Sequence, residues 1–123
     1  TIKYLISLLK TAGAKEIHIR IASPVLRFPN YYGINTLKTE DFYAANLTVE
    51  ELNKDFGGTT LGYLSQEGLI ESIGTKFNTK NGGISMDAFD GSHSAEICDY
   101  EESFKANLTP LQKKIIKGEF KGE

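Results

Sequence analysis

The sequence predicts an α/β fold in which a parallel sheet is flanked by helices, and three observations carry that expectation. Ile2, Leu5, Ile6 and Leu9 recur at i, i+3, i+4 and i+7, the apolar stripe of an amphipathic helix running from Thr1 to Ala12. Gly13 follows Lys10 as the residue that ends that helix. Ile17, Ile19 and Ile21 then alternate with His18 and Arg20, the two-residue period of a strand. Helix, glycine turn and strand in that order form the second half of a βαβ unit. The chain opens on Thr1, without Met, directly in helical periodicity, so the sequence is expected to be a segment cut from a larger chain.

Composition narrows the function classes. The 123 residues suit one small domain. Fourteen Lys and Arg against 16 Asp and Glu give a net charge of -2, which offers no electrostatic case for nucleic acid or an anionic membrane. A single cysteine, Cys98, excludes an internal disulfide framework. No apolar run reaches the roughly 20 residues of a membrane span, and no signal-peptide pattern stands at the front, so the cytoplasm is the expected compartment.

From Ala22 to Leu37 the periodicity breaks. Ser23-Pro24 and Phe28-Pro29-Asn30 disfavour helix, and Tyr31-Tyr32-Gly33 adds rings beside a pivot. Such a loop is a candidate functional element. Thr39 reads as an N-cap with Glu40 and Asp41 in the first turn. Thr48-Val49-Glu50-Glu51 is a capping box opening a short helix to about Phe56, closed by Gly57-Gly58. Leu61 to Leu64 is a brief strand, and Ser65 caps a helix through Leu69, Ile70 and Ile73, stopped by Gly74. Turn signals at Asn81-Gly82 and Asp90-Gly91 flank the segment from Ile84 to Phe89, and acidic Asp99, Glu101 and Glu102 follow. Thr109-Pro110-Leu111-Gln112 is a second capping box with Pro at N1; its helix is expected to be short, basic and exposed, with fraying from Gly118 to Glu123.

No phosphate loop, zinc spacing or catalytic triad assembles from local motifs. His18 lies on the polar phase of its strand, His93 has no partner at metal spacing, and Cys98 sits beside Asp99, whose charge disfavours a thiolate. The two Asn-Leu-Thr triplets, at Asn46 and Asn107, read as the residues before helix caps. The residues by themselves give an α/β segment with one aromatic, proline-rich loop after a strand, and name no reaction.

A longer run of residues goes further. Ala12 to Pro24, then Arg27-Phe28-Pro29-Asn30-Tyr31-Tyr32-Gly33-Ile34, then Ala44 to Glu51 and Leu61 to Ser65 resemble the C-terminal region of amidophosphoribosyltransferases. The likeness weakens after Gly74, where Ala88 to Gly91 and Asp99 to Glu102 still match. It implies the C-terminal portion of a type I phosphoribosyltransferase fold, with a hood loop and C-terminal helices. Residues 1–123 would be one piece of that domain, lacking the glutaminase domain and the phosphoribosyl pyrophosphate loop. Thr1 would match the last Thr of that loop, at the helix N-terminus that receives the substrate 5-phosphate. By the same resemblance Ser23, Pro24, Tyr31, Tyr32 and Phe42 belong to the hood over the site or to the passage that keeps ammonia from water; each ring is equally explained as core. No catalytic residue falls in this chain.

The implied partners are phosphoribosyl pyrophosphate, glutamine and purine nucleotide feedback inhibitors, in a homo-oligomer with Mg²⁺ held by acidic residues upstream. Some members of the family carry an iron–sulfur cluster; here the cysteine positions hold Asn30, Ser85 and Ala88, so no cluster is expected. Asn35 replaces the usual Asp of the hood, and Ser92-His93-Ser94 departs from the family pattern. The rival readings are a free-standing, non-catalytic α/β module that binds a nucleotide or a protein, and a different purine or pyrimidine phosphoribosyltransferase, which the Ser-Pro loop disfavours.

Overall fold

The computed structural model describes residues 1–32, 39, 42–74, 83–93 and 95–120. Helix α1 (Ile2–Thr11) leads through Gly13, at φ +94°, into strand β1 (His18–Ile21). A long connection returns through a 3₁₀ turn (Tyr43–Ala45) to helix α2 (Val49–Phe56), and strand β2 (Thr60–Tyr63) then pairs parallel with β1. The register sets His18 against Thr60 and Ile21 against Tyr63. Helix α3 (Gln66–Ile73) follows, then a helical turn α4 (Asp87–Asp90), a 3₁₀ turn (Cys98–Tyr100), α5 (Glu101–Asn107) and α6 (Pro110–Ile116).

Local chemistry fixes the crossover. The Thr48 hydroxyl accepts from the Glu51 N–H while the Glu51 carboxylate accepts from the Thr48 N–H, so both ends of the expected capping box are made. At the far end Gly57 adopts φ +81° and stops α2. Gly58 then packs closely against α2 and β1: a Cβ there would sit 2.8 Å from both Asn53 Oδ1 and Ile19 Cδ1, so a larger residue would have to displace those two side-chain tips.

Two apolar clusters follow. Val25, Ala44 and Leu52 gather between the sheet and α2, with Leu47, Val49, Phe56, Leu61 and Tyr63 around them. Phe28, Ile97 and Phe104 form the second, beneath Tyr31, Leu108 and Ile115.

Several expectations change. The α1 stripe does not bury as a stripe: Ile6 is buried and Ile2 partly so, whereas Leu5 and Leu9 stay exposed, as do Tyr4 and Leu8. Two paired strands and α2 offer only a narrow line of contact, which one edge of the helix fills. Asp90-Gly91, read as a turn signal, turns the chain at the end of α4, with Gly91 at φ +74°. Helix α5, with Glu101 and Glu102 in its first turn, carries no periodic apolar signal, because its apolar content is nearly confined to Phe104. Helix α6 was expected to lie exposed, yet Gln112 is wholly buried. Thr39 accepts from the Phe42 N–H ahead of the 3₁₀ turn; Glu40 and Asp41, like Asn81-Gly82 and residues 121–123 of the tail, lie outside the described residues.

Gln112 Nε2 donates to the Arg27 carbonyl at 2.5 Å and its Oε1 accepts from the Thr109 N–H at 2.8 Å. Gln112→Leu leaves both groups unpaired in buried surroundings and should lower unfolding free energy by about 3 kcal/mol, seen as a lower urea midpoint. Tyr4, Leu5, Leu8 and Leu9 are 67, 52, 47 and 49 % exposed on one helix. Light scattering should therefore show self-association, relieved by Leu5→Lys with Leu9→Lys; a monomeric unsubstituted chain would contradict the idea of an uncovered interface.

Hydrogen bonds hold three carboxyls below their ordinary range: Glu51 from Thr48, Asp55 from Lys3 and Tyr43, and Glu101 from Lys105. Depressed carboxyls contribute stability above their unfolded values, about 3.9 for Asp and 4.3 for Glu, and lose it as pH falls through the folded ones. Thermal melts should thus be flat above about pH 5 on their account and decline below it, less steeply for Asp55→Asn.

Candidate functional site

The candidate element is the connection that leaves β1 at Ile21. It has no secondary structure of its own over Ala22 to Asn30, yet Pro24, Val25, Arg27, Phe28 and Pro29 are all buried. Buried irregular backbone must find partners outside the ladder of a helix or sheet. Here the Ala88 carbonyl accepts from both the Arg27 and Phe28 N–H groups, at 2.9 and 3.0 Å, and Gln112 serves the Arg27 carbonyl. Gly91 makes room for the Phe28 ring: a Cβ there would meet Phe28 Cε1 at 2.8 Å.

Arg27 is the centre of this element. It is 2 % exposed, and Nη1 donates to the Ala44 carbonyl at 2.5 Å and the Leu47 carbonyl at 3.0 Å. The Phe120 ring lies 5.6 Å from the guanidinium carbon. Burial pulls the guanidinium below its ordinary value, with nearby Tyr63 opposing, and burial likewise raises the Tyr63 phenol. The guanidinium stays charged, since its reference value is far above neutrality. Pro24, Arg27, Tyr63, Ser65, Phe89 and Phe120 line a cleft of about 580 Å³ past the C-terminal ends of the two strands.

The rings expected to act together are held in different places. Tyr31 stacks on Tyr100 at 4.9 Å between ring centroids and meets Phe104 edge-on at 6.2 Å; burial raises its phenol. Tyr32 is exposed, its hydroxyl donating to the Glu96 carbonyl and its N–H to Asn30 Oδ1. Phe42 is buried at the N-cap of the 3₁₀ turn. No ring contact joins these three among the described residues. Ser23 turns its hydroxyl onto the Pro24 carbonyl. Gly33, Ile34 and Asn35 lie outside the described residues.

Thr1 stands exposed at the N-cap of α1, and its hydroxyl makes no capping bond. The first intrahelical bond runs from the Leu5 N–H to the Thr1 carbonyl, so the N–H groups of the first turn point out of the helix unpaired. Uncapped N–H groups and the positive end of the helix dipole together suit an anion.

The other singled-out side chains have structural roles. His18 Nδ1 shares a hydrogen bond with Thr60 Oγ1 and its Nε2 with Glu16. His93 meets Phe104 edge-on at 4.8 Å, and Ser94 lies outside the described residues. Cys98, exposed at φ +45°, faces the Glu96 carbonyl. Among the described residues no three His, Cys, Asp or Glu side chains converge as a metal site. The bonds from Arg27 and Phe28 to Ala88 bring the segment of Asn30 beside that of Ser85 and Ala88. Those side chains are an amide, a hydroxyl and a methyl, a donor set that does not fit an iron–sulfur cluster.

Arg27 itself escaped the sequence reading. Its signal was an arginine flanked by Leu26 and Phe28 within a proline-rich loop, where a long stem can bury and a guanidinium can serve several carbonyls.

No family model matches the chain. It is 40% identical over 116 residues to the amidophosphoribosyltransferases of Staphylococcus epidermidis and Staphylococcus aureus, covering 94% of this chain and 24% of each of those proteins. To the Bacillus subtilis amidophosphoribosyltransferase it is 38% identical over 97 residues, 79% of this chain and 20% of that protein. Among solved structures it superposes on the glutamine phosphoribosylpyrophosphate amidotransferase of B. subtilis complexed with ADP and GMP. That match has a TM-score of 0.70 and 37% identity over 80% of this chain and 22% of that one. A structure described as the allosteric regulatory enzyme of purine biosynthesis gives 0.72 and 33%, over 90% and 24%. The chain spans about a quarter of the length of the relatives it matches. Over nearly all its residues it is a homologue of that quarter of an amidophosphoribosyltransferase, and its two parallel strands and flanking helices are the corresponding portion of a type I phosphoribosyltransferase fold.

Proposed function

We propose that this chain is the C-terminal piece of the phosphoribosyltransferase domain of an amidophosphoribosyltransferase. The whole protein would release ammonia from glutamine and join it to C1 of phosphoribosyl pyrophosphate, giving phosphoribosylamine, pyrophosphate and glutamate. The observation that carries this reading is 40% identity sustained over 94% of the chain, on a backbone that matches the amidotransferase structures. The solved B. subtilis relative, complexed with ADP and GMP, supports purine nucleotides as ligands of the whole protein. A homo-oligomer in the cytoplasm completes the proposal; no helix among the described residues is long and apolar enough to cross a membrane.

Within that reaction the chain's own residues bind and shield. Thr1 and the free N–H groups of the first turn of α1 receive the 5-phosphate, where the helix dipole favours negative charge. Ser23, Pro24, Tyr31, Tyr32 and Phe42 contribute to the roof and the ammonia passage. Apolar surroundings there keep a neutral nucleophile and an electron-poor ribose carbon from water. Mg²⁺ would be held by acidic residues that the present sequence does not contain, so this chain supplies neither that metal's ligands nor a nucleophile for glutamine.

The test has two arms. The purified 123-residue chain should neither hydrolyse glutamine nor form phosphoribosylamine from ammonia and phosphoribosyl pyrophosphate; measurable product would overturn the assignment of roles. Sequencing the source gene upstream of the Thr1 codon should reveal an open frame with a strand, an acidic pair and a Gly-Thr loop, and a stop codon there would leave the free-standing module instead.

A further inference from the structure

The end of α1 that would meet the phosphate is held by few apolar contacts. Of its residues only Ile6 is buried, and the outward face is bare. What fixes its first turn laterally is polar. Lys3 Nζ lies 2.7 Å from Asp55 Oδ1 on α2. The other oxygen of the same carboxylate accepts from the Tyr43 hydroxyl, on the 3₁₀ turn that closes the long connection. Lys3 also sits 5.5 Å from the centroid of the Tyr43 ring, and that ring stacks on Phe56 at 5.9 Å. Three segments far apart in sequence therefore share one carboxylate.

We propose that Lys3, Asp55 and Tyr43 form a positioning latch that sets the first turn of α1 and so aims its free N–H groups at the phosphate; this rests on the phosphate role of α1 proposed above. Asp55 is the hub, because its two oxygens hold α1 and the 3₁₀ turn at once. The mutual preference of the pair is seen in the raised Lys3 ammonium, held up chiefly by its hydrogen bond to Asp55, and the lowered Asp55 carboxyl. Lys3 is spoken for by this bond, and does not act as a phosphate ligand in its own right. The three residues touch no reacting atom; their effect passes through the helix. A site that depends on backbone N–H groups loses affinity when the helix carrying them drifts by fractions of an ångström.

Two variants separate this from direct electrostatics. If Lys3 contacted the anion, Lys3→Met would weaken substrate binding and Asp55→Asn, by freeing the ammonium, would strengthen it. The latch requires both to weaken it. In the full-length enzyme we expect KM for phosphoribosyl pyrophosphate to rise about five-fold in each variant, with the double variant no worse than the worse single one. Glutamine hydrolysis and kcat with ammonia should hold within about two-fold. A lower KM in Asp55→Asn, or fully additive effects, would overturn the latch.

Amide exchange in the full-length protein tests the same arrangement without any activity. Exchange of the Leu5 N–H should quicken about five-fold in both single variants while Lys113 on α6 is unchanged. Equal exchange at Leu5 in variant and parent chains would overturn the latch. An unsubstituted full-length protein that fails to turn over phosphoribosyl pyrophosphate would instead overturn the proposed function, and the exchange result would still decide the latch.

Discussion

The buried guanidinium of Arg27 is the constraint on which the rest of the packing depends. The chain leaves β1 into a stretch rich in proline that forms no helix or strand, and it must nevertheless be buried for the Phe28 ring to reach its cluster. Arg27 makes that possible by carrying several donors on one rigid plane. It collects the carbonyls of Ala44 and Leu47 at the turn before α2, while its own backbone is served by Ala88 and by Gln112. One residue thus joins four segments separated by up to 85 positions. A charge so placed is costly to desolvate and stays only while its carbonyls are in reach, which makes these contacts interdependent.

The second helical half of the molecule is fastened to that hub by a capping box that works twice. Thr109 and Gln112 satisfy the free N–H groups at the start of α6, as the sequence implies. The same two side chains then reach outward, Thr109 Oγ1 to the Ala45 carbonyl at 2.6 Å and Gln112 to the Arg27 carbonyl. A local helix signal has been converted into a tertiary clasp. Phe120 closes the arrangement by lying over the guanidinium, so the tail contributes to the core as far as that ring.

Helix α1 presents the opposite situation. Its apolar residues exceed what its neighbours cover, and a helix whose apolar residues surround a single polar stripe of Lys3, Ser7 and Lys10 belongs between two partners. Two strands and one helix furnish only the first. This agrees with a chain that matches about a quarter of its relatives' length, and it explains why polar contacts through Asp55 bear so much of the helix's placement.

The sequence by itself determined the elements whose signals are local. The capping boxes at Thr48 and Thr109, the glycine stops at Gly57 and Gly74, and the alternation through Ile17, Ile19 and Ile21 each act over a few residues, and each stands where it was read. Ordered agreement over many positions also identified the relatives. What the sequence did not disclose were matters of distance along the chain: which face of α1 is covered, that Gln112 is buried, that Tyr31 joins Tyr100 and Phe104 while Phe42 sits elsewhere, and that Arg27 lies at the centre. A helix stripe states that a face is apolar but not whether anything is there to meet it, and a side chain's donors state what it can bind but not which carbonyls will arrive. Those outcomes depend on contacts across tens of residues, and only the packed tertiary structure decides them.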